Sequence, residues 1–231
     1  SVTLKAGNKD PYALFPIHVD VNGLIPEEEY ILPLSIISVS DYMIASERKD
    51  VLLKIFMKNE YATTKSRIYY NMIGTIQKEV DNNGILEPEG GESPMNSTKL
   101  VTPISKYGIR VLPGTVQSDP GASQQSLRLR SVVATVNPDE WIDIPVISDE
   151  GEVTGEFIKC QKVTVAPWFE TNQAVRVKNM DDKPSYYNPE KREFTLRYHY
   201  RIASIDGQSN NKDVWHEVKE TMTPMDITNK D

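Results

Sequence analysis

The chain has few of the residues on which several classes of protein depend. Of its 231 residues, one is a cysteine and three are histidines. The single thiol, Cys160, excludes an intrachain disulfide and a thiolate-rich metal centre, and three histidines supply few ligands for zinc. No apolar stretch approaches the roughly 20 residues that a membrane-spanning helix needs. We therefore predict neither a metal site nor a cofactor.

Clusters of basic residues are also missing. The formal net charge is −7, from 26 lysines and arginines against 33 aspartates and glutamates. Because proteins bind the phosphates of nucleic acids through a basic face, this balance argues against a nucleic-acid partner. The 39% of hydrophobic residues is enough to fill one large core or two modest ones.

No catalytic motif is recognisable. A serine nucleophile elbow needs Gly-x-Ser-x-Gly, which this sequence lacks. His18, His199 and His216 do not pair at H-x-H or H-x-x-x-H spacing, and Cys160 lies in a predicted strand as an inert thiol. The polar stretch Asp206–Asp213 lacks the central glycine of a calcium loop and is predicted to be a hairpin loop. We predict that the protein is not an enzyme. The alternative is a hydrolase whose carboxylate pair only the fold brings together.

What the sequence does contain is a period-two alternation of apolar and polar residues, which is typical of half-buried strands. The clearest case is Phe194–Ile202, where five apolar residues alternate with four polar ones. Fifteen prolines and twelve glycines separate such segments at intervals that suit strands better than helices. The pattern predicts an antiparallel all-β protein. Further predicted strands are Ile17–Val21, Val51–Met57, Leu127–Val133, Ile142–Val146, Val163–Val165 and Ala174–Val177.

Two segments in the first half of the chain require separate interpretation. Tyr61–Val80 alternates as a strand, but Ile68, Met72 and Ile76 also follow helical spacing. Its β-branched and aromatic residues, with an Asn-Gly turn after it, favour a long strand that enters a hairpin. Glu87–Thr98 is rich in proline, glycine, serine and glutamate, and we predict a long exposed loop there.

One part of the sequence carries a family resemblance. Tyr30–Ser38 reads Tyr-Ile-Leu-Pro-Leu-Ser-Ile-Ile-Ser, after the opening Val-Thr-Leu-Lys-Ala-Gly of Val2–Gly7 and before the apolar strand Val51–Met57. This pattern, over residues 1–62, resembles the N-terminal domain of Bacteroidetes-type surface lipoproteins that accompany Sus-like outer-membrane nutrient importers. Residues 63–231 resemble the β-rich domain that follows it in such proteins.

The resemblance implies both a fold and a role. Residues 1–62 are expected to form an immunoglobulin-like sandwich truncated at its N-terminus, and residues 63–231 a larger antiparallel β-sandwich or calycin-like barrel. The implied role is a non-enzymatic accessory subunit of a SusC/SusD-like, TonB-dependent importer, lipid-anchored at the outer-membrane surface. It would capture or guide a nutrient, most often a glycan. The alternatives are an oligopeptide cargo, or a structural assembly subunit with no ligand site.

Aromatic residues in polar surroundings are the candidate ligand-binding residues, because sugar rings stack on tryptophan and tyrosine. Tyr186 and Tyr187 fall in a predicted loop, Asp181–Arg192, and Trp168 follows a predicted strand. We predict a ligand site from Tyr186, Tyr187, Trp168 and Arg192.

Three further predictions concern aromatic and basic residues. Trp141 and Trp215 adjoin apolar strand residues and are expected in the core. Arg128 and Arg130 alternate with leucines, which places both guanidinium groups on the outward face of a predicted strand. Such a pair suits either a carboxylate clamp or a solvated surface.

Overall fold

The computed structural model of the chain describes residues 14–20, 23–40, 43–117, 121–148, 150–169, 174–203 and 214–225. Antiparallel strands dominate these residues, which confirms the predicted all-β class. The helix α1 (Gln124–Arg128) has five residues, and Ser46–Arg48 forms a 3-10 turn. None of the described helices has the length and apolar character needed to cross a lipid bilayer.

The first part of the chain contains a small antiparallel sheet. Its two strands are β1 (Tyr30–Ser35) and β2 (Asp50–Ile55), with Leu32 opposite Leu53. β1 confirms a strand at the Tyr-Ile-Leu-Pro-Leu motif, and β2 confirms most of the strand predicted at Val51–Met57. The predicted strand at Ile17–Val21 is not formed over residues 17–20, and Val21 lies outside the described residues.

The larger sheet of the described residues closes on itself. Its strands are β3 (Ile68–Asn82), β4 (Ile85–Pro88), β5 (Ser93–Pro103), β6 (Gly108–Val111), β7 (Val132–Ile147), β8 (Val153–Pro167), β9 (Val175–Asn179), β10 (Ser185–Asn188), β11 (Glu193–Ile202) and β12 (Val214–Pro224). Hydrogen-bonded neighbours run β3-β5-β6-β7-β8-β10-β11-β12, and β12 pairs again with β3. These eight antiparallel strands form a barrel, which removes the exposed sheet edges. β4 pairs with the end of β3, and β9 pairs with β11.

Alternate residues of the strands fill the barrel with a single hydrophobic core. The predicted alternation of β11 is confirmed, since all five of its apolar residues are at most 3% exposed. β3 is the predicted long strand, and it enters a hairpin with β4 at Asn83-Gly84. The core residues of β11 are Phe194, Leu196, Tyr198, Tyr200 and Ile202.

Two local predictions are wrong. Ser93–Thr98 belongs to β5 rather than to a loop, because it pairs with residues 71–76 of β3 along its whole length. Leu127–Arg130 is the end of α1 and a turn rather than a strand, and the next strand begins only at Val132. Ser123 caps α1 by accepting a hydrogen bond from Ser126 N at 3.2 Å, a helix-start signal in the sequence that outweighs the alternation.

The segment on which the predicted domain division falls packs against the barrel. Asn59 Nδ2 donates hydrogen bonds to the carbonyl oxygens of Ser105 and Gly108, both at 2.9 Å. Asn59 Oδ1 accepts from the amides of Tyr61 and Ala62, and those two residues are buried in the barrel core. The division into residues 1–62 and 63–231 stays a prediction.

Candidate functional site

A groove of about 690 Å³ lies beside β5 and β6 on the outside of the barrel. Its wall includes Leu100 and Thr102 of β5, Arg110 of β6 and Tyr69 of β3. Residues 63–67 and the turn at Pro26–Glu27 border it, together with residues around α1. Concave surfaces that combine apolar area with a few placed polar groups are where small ligands bind.

Arg110 is a buried arginine of the groove with contacts on several sides. It is 4% exposed, and its Cζ lies 4.3 Å from the centroid of the Trp168 ring. Nη2 donates to the Glu27 carboxylate and, at 3.3 Å, to Thr102 Oγ1. Nη1 is buried and has no hydrogen-bond partner among the described residues. A buried guanidinium held over an aromatic ring presents its remaining N–H groups in a fixed direction, which suits recognition of a planar anion.

Basic residues dominate the charge of this groove, although the whole chain is acidic. Its charged lining residues are Glu27, Lys65, Arg67, Lys99 and Arg110. The charge of Lys99 is balanced by the Glu220 carboxylate inside the barrel. Three cations then face one carboxylate, and the local field favours an anionic ligand.

Lys99 belongs to a buried polar network across β3. Its Nζ donates to the Glu220 carboxylate and, at 2.8 Å, to the Leu112 carbonyl oxygen. Tyr198 OH donates to the other Glu220 oxygen at 3.1 Å. Burial lowers the pKa of the Lys99 ammonium, although Glu220 opposes the shift, and burial raises the pKa of Tyr198 well above its ordinary value. The network satisfies its own polar groups, so we assign it to the stability of the barrel.

Aromatic residues pack together in another part of the core. The centroid of the Tyr187 ring lies 4.9 Å from that of Tyr61 and 4.7 Å from that of Phe194. Tyr70 OH donates to the Tyr61 carbonyl oxygen at 3.0 Å. Burial raises the pKa of Tyr187 to about 12 and also raises the pKa values of Tyr61 and Tyr70. These phenols are neutral packing groups at physiological pH.

The structure places three of the four residues predicted as a ligand site near one another, since Tyr186 and Tyr187 are consecutive in β10 and Arg192 lies beside the Tyr187 phenol. Tyr187 is 1% exposed and belongs to the aromatic cluster of the core, so its face is not open to a ligand. Tyr186 is half-buried, with Arg197 Cζ 5.8 Å from its ring centroid. Both tyrosines lie in β10, so the predicted loop is wrong at Ser185–Asn188. Arg192 is exposed in the turn before β11, with a positive φ of 54°.

Of those four residues, Trp168 contacts Arg110 of the groove. It follows the end of β8, as predicted, and is half-buried against Arg110. β10, which carries Tyr186, lies opposite β5 in the barrel, with three strands between them in either direction. Sequence reasoning missed Arg110. A single arginine between the apolar Ile109 and Val111 signals an outward-facing strand position, but nothing in that pattern indicates its partners.

The remaining predictions have mixed outcomes. Trp215 is buried, as predicted, but Trp141 is 51% exposed and its assignment to the core is wrong. Cys160 is a buried free thiol in β8, and burial raises its pKa, which agrees with an inert role. Arg128 does not lie on a strand face; its Cζ is 4.4 Å from the centroid of the Phe169 ring. The stretch Asp206–Asp213 lies outside the described residues.

A second polar cluster lies on the outer face of three adjacent strands. Glu79 of β3, Glu217 of β12 and His199 of β11 place one donor atom each within 4.8 Å of one another. An imidazole with two carboxylates is a donor set that divalent cations accept. His199 Nδ1 is already hydrogen-bonded to Glu79 at 2.7 Å, and Lys219 Nζ lies 3.1 Å from Glu217. Each residue of the cluster therefore already has a polar partner. The expected absence of a metal site stays a prediction.

Comparisons with solved structures show only distant similarity. A protein of unknown function from Bacteroides ovatus is 13% identical and aligns with a TM-score of 0.41, covering 84% of this chain and 56% of its own. An auxiliary nutrient binding protein from Bacteroides thetaiotaomicron is 16% identical, with the same TM-score and the same coverage. The chain therefore spans little more than half the length of these structures. Similarity at this level carries no functional argument.

Comparison with protein-family models identifies the family of the chain. No curated protein matches the chain significantly. One protein-family model, described as "-like, C-terminal", matches residues 49–223. The matched region includes every strand from β2 to β11 and most of β12. Because the match extends over well more than half of the chain, the protein belongs to this "-like, C-terminal" family of C-terminal domains.

Proposed function

We propose that the protein is a non-enzymatic, cell-surface accessory subunit that captures a glycan for a Sus-like outer-membrane importer. The groove beside β5 and β6 is the observation that carries the capturing role. It combines the apolar surface of Leu100 and Tyr69 with hydroxyl groups and a fixed arginine. That combination suits a sugar, which offers an apolar ring face and many hydroxyl groups. The importer, the lipid anchor and the outer membrane enter the proposal through the sequence resemblance of residues 1–62.

The capturing role is tested by binding of oligosaccharides to the purified protein. Isothermal titration with a panel of neutral and acidic hexasaccharides should find at least one ligand. Tyr69→Ala should weaken its binding about tenfold, since an aromatic contact with a ring contributes about 1 kcal/mol beyond its buried area. Ile73→Ala is the matched control, because Ile73 lies on the same face of β3, is 59% exposed and does not line the groove. Equal loss in both variants would contradict a site in the groove.

The importer role is tested separately by gentle extraction of the protein from its native membrane. We expect transporter subunits of the SusC/SusD-like type to accompany it. A stable complex without binding of any saccharide would favour the alternative, an assembly subunit with no ligand site. Binding of neutral oligopeptides in place of sugars would change the cargo but leave the importer role intact.

A further inference from the structure

Glu27 occupies part of the groove as a ligand would. Its carboxylate accepts a hydrogen bond from Arg110 Nη2, although the two residues are far apart in sequence and Glu27 lies on a turn outside the barrel. That turn is closed by a hydrogen bond from Glu28 N to Ile25 O at 3.0 Å. The Glu27 side chain is 28% exposed, whereas that of Arg110 is 5% exposed. The contact therefore joins a fixed guanidinium to a carboxylate at the protein surface.

The Glu27 contact leaves the Arg110 fork incomplete. Nη2 has two acceptors, but Nη1 has none among the described residues and is buried. A buried N–H group without an acceptor costs free energy, so an acceptor that reaches Nη1 is favoured. An arginine fork binds a carboxylate through two parallel N–H donors. A carboxylate seated on both nitrogens would satisfy Arg110 better than Glu27 does.

We propose that the groove binds an acidic saccharide, and that the ligand's carboxylate displaces Glu27 from Arg110. This inference rests on the proposed capturing role and specifies its ligand class. Glu27 shows that a carboxylate fits on the guanidinium, and Lys65 and Arg67 add positive charge nearby. Displacement follows because Glu27 occupies Nη2, so a ligand carboxylate can bind both terminal nitrogens of Arg110 only if Glu27 leaves. Hydroxyl-bearing side chains favour a saccharide over an acidic peptide; those in the lining are Thr63, Thr64, Ser66, Tyr69, Thr98 and Thr102.

The test uses pairs of probes in which a methyl ester replaces the carboxylate and so removes its charge. Trigalacturonate, a glucuronate-containing hyaluronan hexasaccharide and a mannuronate trimer are titrated by calorimetry, each beside its methyl ester. Maltohexaose and mannohexaose serve as neutral sugars, and triglutamate serves as an acidic peptide. We expect at least one uronate to bind about tenfold or more tightly than its ester, the difference expected for one charge-assisted hydrogen bond.

Three substitutions, one of them a control, locate that preference. Glu27→Gln removes the competing charge and should tighten binding of the acid several-fold without changing binding of the ester. Glu47→Gln makes the same change in net charge on the exposed 3-10 turn and should leave both unchanged. Arg110→Lys keeps the charge but loses the fork, and should abolish the preference for the acid. Glu27 is partly exposed, so its variant remains informative even if Arg110→Lys disturbs folding.

Each other outcome overturns a defined part of the proposal. If esters or neutral sugars bind as tightly as the acids, the acidic class is wrong and the capturing role stands. If Glu27→Gln changes nothing, displacement of Glu27 is wrong. Tighter binding of triglutamate than of every uronate would replace the saccharide by a peptide. If no probe binds at all, both the ligand class and the capturing role are wrong.

Discussion

Gly74 shows how one residue permits two strands to approach. It lies in the interior of β3, opposite Glu220 of β12. A Cβ atom at this position would lie 2.0 Å from the Lys219 carbonyl oxygen and 2.8 Å from the Glu220 Cα. A glycine inside a strand often marks such a close backbone approach. Glu220, in turn, holds Lys99, so this approach supports the polar network in the barrel.

We therefore expect Gly74→Ala to destabilise the protein. The added methyl group forces the two backbones apart, which should lower the free energy of unfolding by about 1–3 kcal/mol. Urea denaturation monitored by circular dichroism measures the change. Gly91→Ala is the control, because no atom lies within 4 Å of its Cβ position and its φ is not in the left-handed region. Equal midpoints for the two variants would show that β3 and β12 adjust without cost.

Residue type alone does not determine burial in this chain. Tyr187 is 1% exposed and Trp141 is 51% exposed, although tyrosine carries the more polar ring. Tyr187 points into a closed barrel from a strand paired on both sides, by β8 and β11. Trp141 lies beyond an irregularity of β7, where the pairing shifts between Val136 and Trp141. The place of each residue in the sheet therefore determined whether its ring is buried.

Among the strands, β5 and β12 are joined across β3 by a charged pair. Lys99 and Glu220 face the barrel interior and are almost completely buried. Removing one partner of such a pair leaves the other charge buried without compensation, whereas removing both can be nearly neutral.

A double-mutant cycle tests this coupling. Lys99→Met alone should lower the free energy of unfolding by about 3–5 kcal/mol, because Glu220 then lacks its cation. Lys99→Met combined with Glu220→Met should lose clearly less than the sum of the two single changes. Urea denaturation of the four proteins gives the coupling energy. Additive losses would show that the pair does not act as a unit.

Strand boundaries reveal the limits of local pattern. Ser93–Thr98 has turn-rich composition but forms a strand, since the long strand β3 offers it a complete edge for pairing. Leu127–Arg130 alternates like a strand but forms the end of the helix α1, which Ser123 caps, and the turn after it. In the first case pairing partners from elsewhere in the chain overrode composition, and in the second a local cap overrode alternation.

For the barrel as a unit, buried phenols determine the response to alkaline pH. The pKa values of Tyr61, Tyr70, Tyr187 and Tyr198 are raised above the ordinary value of 10.0, chiefly by burial. Above pH 10 the unfolded chain releases these protons and the folded protein retains them, so stability falls as pH rises. For Tyr187 the window runs from pH 10 to about 12. The lowered pKa of Lys99 acts in the opposite direction, below its ordinary value of 10.5.

We expect the urea midpoint to fall steeply between pH 10 and pH 12. At about one unit above its unfolded pKa, each protected phenol costs about 1 kcal/mol of stability. Ultraviolet absorbance of tyrosinate should show some of the 11 tyrosines ionising only as the barrel unfolds. Tyr187→Phe should make the fall shallower, because it removes one such phenol. A midpoint that does not change over this range would contradict the burial argument.

Alternation and turn residues determined the all-β class, the long strand β3 and the inward face of β11, because a period of two is a local property of the backbone. Closure of the barrel, the pairing of Lys99 with Glu220 and the contacts of Arg110 with Glu27 and Trp168 join residues remote in sequence. No local pattern encodes which strands become neighbours. The groove beside β6 is therefore a candidate site that the sequence did not indicate, and Trp168 is the predicted residue that contacts its Arg110.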